Sequence, residues 1–215
     1  DLFNQMTVEV IQTMAVQAAI ALGNARRLKE QMRRVEILDK RAGTVSKLIK
    51  TTNELSLDRP LERSLEILAE GIRDASPYQV VLISTVNPET KLQQRVAGVG
   101  IPPETLSLLK GHLQPWKKVQ QFLRREFKIG SGYFIPYEKR PVVPDELLLV
   151  RIIQEDENGG PNDWHPEDIL CFPLQDGAGE PIGLISLDAP RDGKRPEPDM
   201  LEPVEIFAAQ TALII

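Results

Sequence analysis

Few residues of this 215-residue chain have types that invite chemistry: one cysteine, two histidines and a scatter of aromatic side chains. Cys171 stands in "ILCFPL". A thiolate there would be a nucleophile or an attachment point, but a short apolar run rich in strand formers reads as a buried strand. Burial raises a thiol's pKa and leaves it inert. A single cysteine also excludes an internal disulfide and fits a reducing compartment, so a cytoplasmic location is expected. His165 and Asp168 are two metal-ligand types, but a closed site needs more ligands than the sequence offers nearby; His112 stands apart. No Walker loop, dinucleotide fingerprint, zinc-ligand spacing or nucleophile elbow occurs, and the "GSG" at Gly130 to Gly132 is too short for a phosphate cradle. No catalytic constellation is visible, so no enzyme activity and no metal site are expected.

The aromatics are the remaining candidates. Trp116, Phe122, Tyr133, Phe134 and Trp164 are expected to flank the open face of a sheet and to line a pocket for a small organic ligand. Tyr133 and Trp164 carry polar handles, which makes them the better ligand contacts. The plainer alternative is that all five form the ordinary core of a lid.

The elements that must position these residues are legible in the hydrophobic pattern. "DRPLERSLEILAEGIRDA" reads as an amphipathic helix with Pro60 in its first turn and Leu61, Leu65, Ile67, Leu68 and Ile72 as its apolar stripe. "QVVLISTVN" is strand-like, "PETK" turns the chain, and "LQQRVAGVG" returns antiparallel. Two helical pieces follow, "PPETLSLLKGH" and "PWKKVQQFLRREF". The second places Trp116, Val119, Phe122, Leu123 and Phe127 along one helix face. "KIGSGYFIPYEKRPVVPDE" reads as a glycine-containing loop, "LLLVRIIQE" as a strand and "DENGGPNDWHPED" as a loop. "ILCFPL", "QDGAGEP" and "IGLISLD" form the clearest hairpin. Asp199, with Glu202 three positions on, resembles a capping box opening the last helix. Antiparallel neighbours with helices at both ends indicate an α+β fold. The terminal helices are expected on one face of a central antiparallel sheet, with short helices and loops on the other.

Before this lies a different kind of segment. Ile11, Met14, Ala18, Ala21, Ala25, Leu28, Met32 and Val35 follow one another at alternating steps of three and four, the seam of a coiled coil. The seam continues through Leu38, Ala42, Val45, Ile49 and Thr52, with a stammer between Met32 and Leu38. A helix of about 50 residues would be roughly 75 Å long and would bury its stripe only against a partner. Residues 1–56 are therefore expected to be a linker helix forming a parallel homodimer, and 57–215 the globular domain. A helix folded back on its own domain, or a broken pair, is the alternative.

Net charge is −5. Residues 26–50 hold nine Lys/Arg against three Asp/Glu, which leaves an acidic remainder unsuited to nucleic acid. The basic run has no interleaved aromatics and reads as a solvated outer face. No apolar stretch approaches the roughly 18 residues of a membrane span, and no signal peptide is recognisable.

"SGYFIPYE", "WHPEDILCFPLQDGAGEPIGLISLDAPRDGKRP" and "VEIFAAQTALII" resemble GAF domains, small sensory modules of bacterial signalling proteins, phosphodiesterases and phytochromes, over about residues 50–215. In tandem arrays of such modules, the last helix of one runs through a linker into the next. "VEVIQTMAVQAAIAL" at the start aligns without a gap with "LEPVEIFAAQTALII" at the end. The opening segment thus resembles the closing helix of a preceding module, and the chain is expected to be a piece of a longer polypeptide. The resemblance implies a GAF/PAS-like sheet and a non-catalytic sensory or regulatory module of a multidomain protein, such as a two-component system. Such a module would couple a small ligand or partner to a dimeric helical stalk, with neighbouring sensory and output domains as partners. A ligand-free structural dimerisation or spacer module is the alternative. The cofactor stays unknown. Bilin attachment resembles Cys followed by His, whereas Phe172 follows Cys171 here. Cyclic-nucleotide binders carry an Asn-Lys-Phe-Asp-Glu pattern, which Asn162, Glu167 and Asp168 match without the lysine or the spacing. Both groups are disfavoured on these grounds.

Overall fold

The computed structural model describes residues 14–35, 43, 60–139, 160 and 162–215. The chain divides into two compact units, Asp1–Val45 and Ser46–Ile215.

In the first unit, residues 14–35 form one helix, α1. Its helix formers run without proline, and an i,i+4 ion pair joins Arg34 to Glu30 at 2.6 Å. Met14, Leu28, Met32 and Val35 of the expected seam are 54–66% exposed, and Ala18, Ala21 and Ala25 are exposed too. Ile11 and the continuation from Leu38 to Thr52 lie outside the described residues.

Among the described residues the second unit is built on a seven-stranded antiparallel sheet in the order β3-β2-β1-β7-β6-β5-β4. Helix α2 (Leu61–Ala75) leads into β1 (Tyr78–Val86) and β2 (Leu92–Val99). Helix α3 (Pro103–Lys110), the short β3 (Leu113–Pro115) and helix α4 (Trp116–Gln120) follow. A 3-10 turn at Arg125–Phe127 precedes β4 (Lys128–Ile129) and β5 (Gly132–Ile135). The β6 (Ile169–Gln175) and β7 (Pro181–Pro190) hairpin and helix α5 (Glu202–Ile214) close the unit. Among the described residues no helix is long and apolar enough to cross a membrane.

The central position of β1 and β7 explains their composition. Each pairs on both sides and is covered on both faces at its centre, so residues 80–83 of β1 and 183–185 of β7 are buried without alternation. One sheet face packs against α2 and α5, as expected. Leu65, Leu68 and Ile72 of α2 and Val204 and Phe207 of α5 meet Val81, Ile83, Leu170, Phe172, Ile185 and Leu187 in the main core. Leu61, expected in the α2 stripe, is exposed, because Pro60 occupies the cap and Leu61 begins the first turn at the helix's free end. The other face is covered in two patches. Trp116, Phe127, Cys171, Ile135, Val86 and Leu184 form one, and Leu109, Val80, Leu82 and Ala189 form the other.

Three local expectations are corrected, and one strand is added. "PWKKVQQFLRREF" is not one helix: α4 stops at Gln120 and the chain re-enters a 3-10 turn at Arg125. Its apolar residues still converge, since Trp116, Val119, Phe122, Leu123 and Phe127 share one cluster; tertiary packing, not helical periodicity, gathers them. "KIGSGYF" is not a loop but a hairpin of β4 and β5 around Gly130 and Ser131. Gly130 adopts φ +56°, and the Ser131 amide donates to Glu205 Oε1 at 2.6 Å, which fastens this hairpin to α5. Strand β3 had no expectation: "LQP" is too short to show a period, and it exists because it lies along the edge of β2. The capping box at Asp199 does not form. Leu201 is the N-cap without a side-chain bond, and Asp199 belongs to a preceding 3-10 turn, Pro198–Met200. The expected strand "LLLVRIIQE" lies outside the described residues.

Candidate functional site

The sheet face opposite α2 and α5 carries the polar groups that packing alone does not explain. Register fixes which side chains share it, because directly opposed residues of antiparallel strands lie on one face. Ser84 of β1 faces Arg95 of β2 on one side and Leu184 of β7 on the other. Val86 faces Gln93, and Gln93 faces Gln114 of β3. The shift in pairing between Ile83 and Ser84 places Val96 as an extra residue, so Arg95 and Ala97 turn to opposite faces. Ala97 joins the main core, and Arg95 lies with Val86 and Leu184 on the face that α4 covers.

Three buried polar atoms of this region have no hydrogen-bond partner among the described residues: Gln93 Oε1, Gln114 Nε2 and Trp116 Nε1. Their residues are 2–5% exposed. An orphaned buried polar group costs about 1–3 kcal/mol, so three close together are a substantial outlay for a site with no role. Arg95 is half-buried, and burial lowers its guanidinium below the ordinary value, with no carboxylate among the described residues to offset it. The arrangement is one cation, two donors and one acceptor above an apolar floor. It suits non-covalent binding of a small polar molecule and contains no nucleophile–base pair.

The five aromatics expected on one face are divided. Trp116, Phe122 and Tyr133 lie in the patch beneath α4, whereas Phe134 and Trp164 pack with the main core. Tyr133 and Phe134 are adjacent on β5, and strand alternation sends them to opposite sides. Trp164 stacks edge-on against Tyr78, and its Nε1 donates to Asp188 Oδ1 at 2.9 Å, so its polar handle is already used. Asp188 is itself pushed up to about 6 by burial, reinforced by the charge of Asp168, against hydrogen bonds from Ala189 and Trp164.

Cys171 is buried beside Trp116 and Leu184, and burial pushes its thiol up to about 12. Among the described residues no cluster of metal-ligating side chains is present. Asp168 instead accepts from the amides of Tyr137 and His165 and from Arg195, whose guanidinium also reaches Glu138 at 2.9 Å. Tyr137 stacks on His165 with ring centroids 3.6 Å apart. This is a fully occupied clamp that ties the loop before β6 to the end of β5.

Gln93, Gln114 and Arg95 were missed in the sequence. The signal available was polar residues two apart, Gln93 and Arg95, in a strand beside one with an apolar centre, residues 80–83. Period two says that they share a face, but not that the face is covered.

No family model and no curated protein matches the chain. Solved structures match at low identity. The phycoerythrobilin-bound GAF domain of a cyanobacterial phytochrome is 17% identical, with 80% of this chain and 93% of that one covered at a TM-score of 0.53. The GAF domain from a phosphoenolpyruvate-protein phosphotransferase of Coxiella burnetii is 13% identical, with 79% and 90% covered at 0.52. The GAF domain/HD domain protein from Geobacter sulfurreducens is 12% identical, with 72% and 90% covered at 0.51. The sheet and its helices are thus the GAF fold.

Proposed function

From the GAF fold we propose that this chain is a non-catalytic sensory or regulatory module that binds a small ligand on the sheet face beneath α4. One observation carries the reading: Gln93 Oε1, Gln114 Nε2 and Trp116 Nε1 are buried together without partners among the described residues, beside a half-buried Arg95. A spacer has no physical reason to keep such groups, because an apolar replacement would be neutral or stabilising. The names of the matched structures, which include a phytochrome and a methyl-accepting chemotaxis protein, add support at the level of fold. Trp116, Phe122 and Tyr133 are the aromatic candidates retained for ligand contact. Phe134 and Trp164 are assigned to structure.

The second part of the proposal concerns output. Residues 1–56 would act as a helical stalk and 57–215 as the sensory domain, in a cytoplasmic homodimer paired along Met14, Ala18, Ala21, Ala25, Leu28, Met32 and Val35. The exposed apolar stripe of α1 favours this, since an isolated helix with such a seam gains stability chiefly by burying it. For a ligand to act on the stalk, it must bind two stalk arrangements with different affinities.

Native mass spectrometry of freshly purified protein tests both parts. A retained small molecule on a dimer is the expected result. A dimer that carries nothing, and whose melting temperature no added metabolite raises, would establish the ligand-free spacer instead. A monomer at all concentrations would remove the stalk.

A further inference from the structure

We propose that the ligand of this face carries an oxyanion, a carboxylate or phosphate, seated on Arg95, and an N–H or O–H group that donates to Gln93 Oε1. The proposal rests on the reading of the face as a ligand site. A buried charge without a partner is unstable unless a counter-charge arrives. The residue opposite Arg95 on each register is neutral: Ser84 on β1, then Leu184 on β7. No carboxylate among the described residues acts on its guanidinium. A planar fork of N–H donors matches a carboxylate or phosphate in two parallel hydrogen bonds.

The orphaned atoms define the rest of the molecule. Gln93 and Arg95 lie two residues apart on one strand, so their attachment points are separated by roughly 7 Å. Gln114 sits directly across from Gln93, and Trp116 follows two residues later. Gln114 Nε2 and Trp116 Nε1 seek an acceptor and Gln93 Oε1 seeks a donor. A ligand with an oxyanion at one end and a hydroxyl at the other satisfies all four, because a hydroxyl both donates and accepts. Val86 and Leu184 supply an apolar floor for the body between them. A cation would be repelled by Arg95, and a wholly apolar ligand would leave every polar group unpaired.

The two tryptophans make the test direct. The Trp116 indole N–H resonance reports the site, and that of Trp164, bonded to Asp188, is an internal reference. The protein is titrated with 4-hydroxybenzoate, its neutral amide 4-hydroxybenzamide, and inorganic phosphate, each to about 10 mM, a range suited to fragment-sized probes. The expected result is a saturable shift of Trp116, with Trp164 unmoved and the amide weaker by about tenfold or more. Phosphate and 4-hydroxybenzoate distinguish the two oxyanion sources. R95M is expected to abolish the preference for the anion while raising the melting temperature of the free protein by about 2–4 °C, and R95K to retain part of the affinity. Equal binding of acid and amide, or an R95M variant that melts lower, would overturn the anion and leave the ligand site standing. If no probe moves Trp116, the anion fails. A neutral molecule retained in native mass spectrometry then upholds the site, and an empty protein whose melting temperature no added metabolite raises ends both readings.

Discussion

Two faces of one sheet are packed by opposite rules. On the side of α2 and α5, Leu65, Leu68, Ile72, Ile83, Ile185, Val204 and Phe207 are wholly buried, and the buried polar groups of Thr211 and Trp164 are bonded, the hydroxyl donating to Phe207 O and the indole N–H to Asp188 Oδ1. On the side of α4, Trp116 and Phe127 are as well covered, yet Gln93, Gln114 and Arg95 lie among them. The first face is packed for stability, and the second keeps polar groups that, on the proposed reading, a ligand would pair. Aromatic content does not distinguish the two faces, since both hold aromatics; the unpaired polar groups do.

Substitutions ranked by expected size can break or sharpen this contrast. Truncation on the helix face should cost most: Phe207→Ala removes a fully buried ring and is expected to destabilise by about 3–5 kcal/mol in denaturant unfolding. A loss below about 1 kcal/mol would show that face to be loosely packed.

Asp188 gives the next effect, through pH. Its folded-state pKa, about 6, lies above the ordinary 3.8, chiefly from burial. The folded protein therefore holds a proton that the unfolded chain has released between those values. Stability from this group is full below about pH 4, falls as pH rises through about 6, and is level above. The difference is on the order of 2–3 kcal/mol, and Asp188→Asn should abolish this slope while keeping an acceptor for Trp164. Parallel pH profiles for the two proteins would place the Asp188 pKa near its ordinary value.

Gly130→Ala is expected to cost about 1–2 kcal/mol for its left-handed backbone, and more because the added Cβ would collide with Glu205 Oε1. Chemical denaturation measures it, and loss of the hairpin's tie to α5 should accompany it as faster amide exchange at Ser131. The smallest effect belongs to the site: Gln93→Leu should change ligand-free stability by no more than about 1 kcal/mol, in either direction. A loss of about 3 kcal/mol would mean that Gln93 is structurally bonded and would erase the contrast.

Legibility in the sequence followed local determination. The α2 stripe, the β1–β2 turn and the β6–β7 hairpin were readable, since apolar period and turn residues such as Asn87, Asp176 and Gly179 encode them within a few positions. The β4–β5 hairpin carried a signal that was passed over: two short apolar runs separated by Gly130 and Ser131. β3 and the interruption after Gln120 carried none, because edge pairing with β2 and packing under the lid decide them. The aromatic candidates were chosen by residue type. Type cannot separate Tyr133 from Phe134, which one step along a strand sends to opposite sides.

The amino-acid order alone determined the α+β class, the antiparallel hairpins, the terminal helices and the heptad stripe of α1, because each depends on neighbours within a turn or a strand. Which face would be dry and which would keep orphaned polar groups was decided only in the tertiary structure. A pairing shift at Ile83 and Ser84 turns Arg95 away from Ala97, and Trp116 of α4 packs from beyond β3 with Val86 and Leu184; both are consequences of distant chain segments meeting, to which local periodicity is blind.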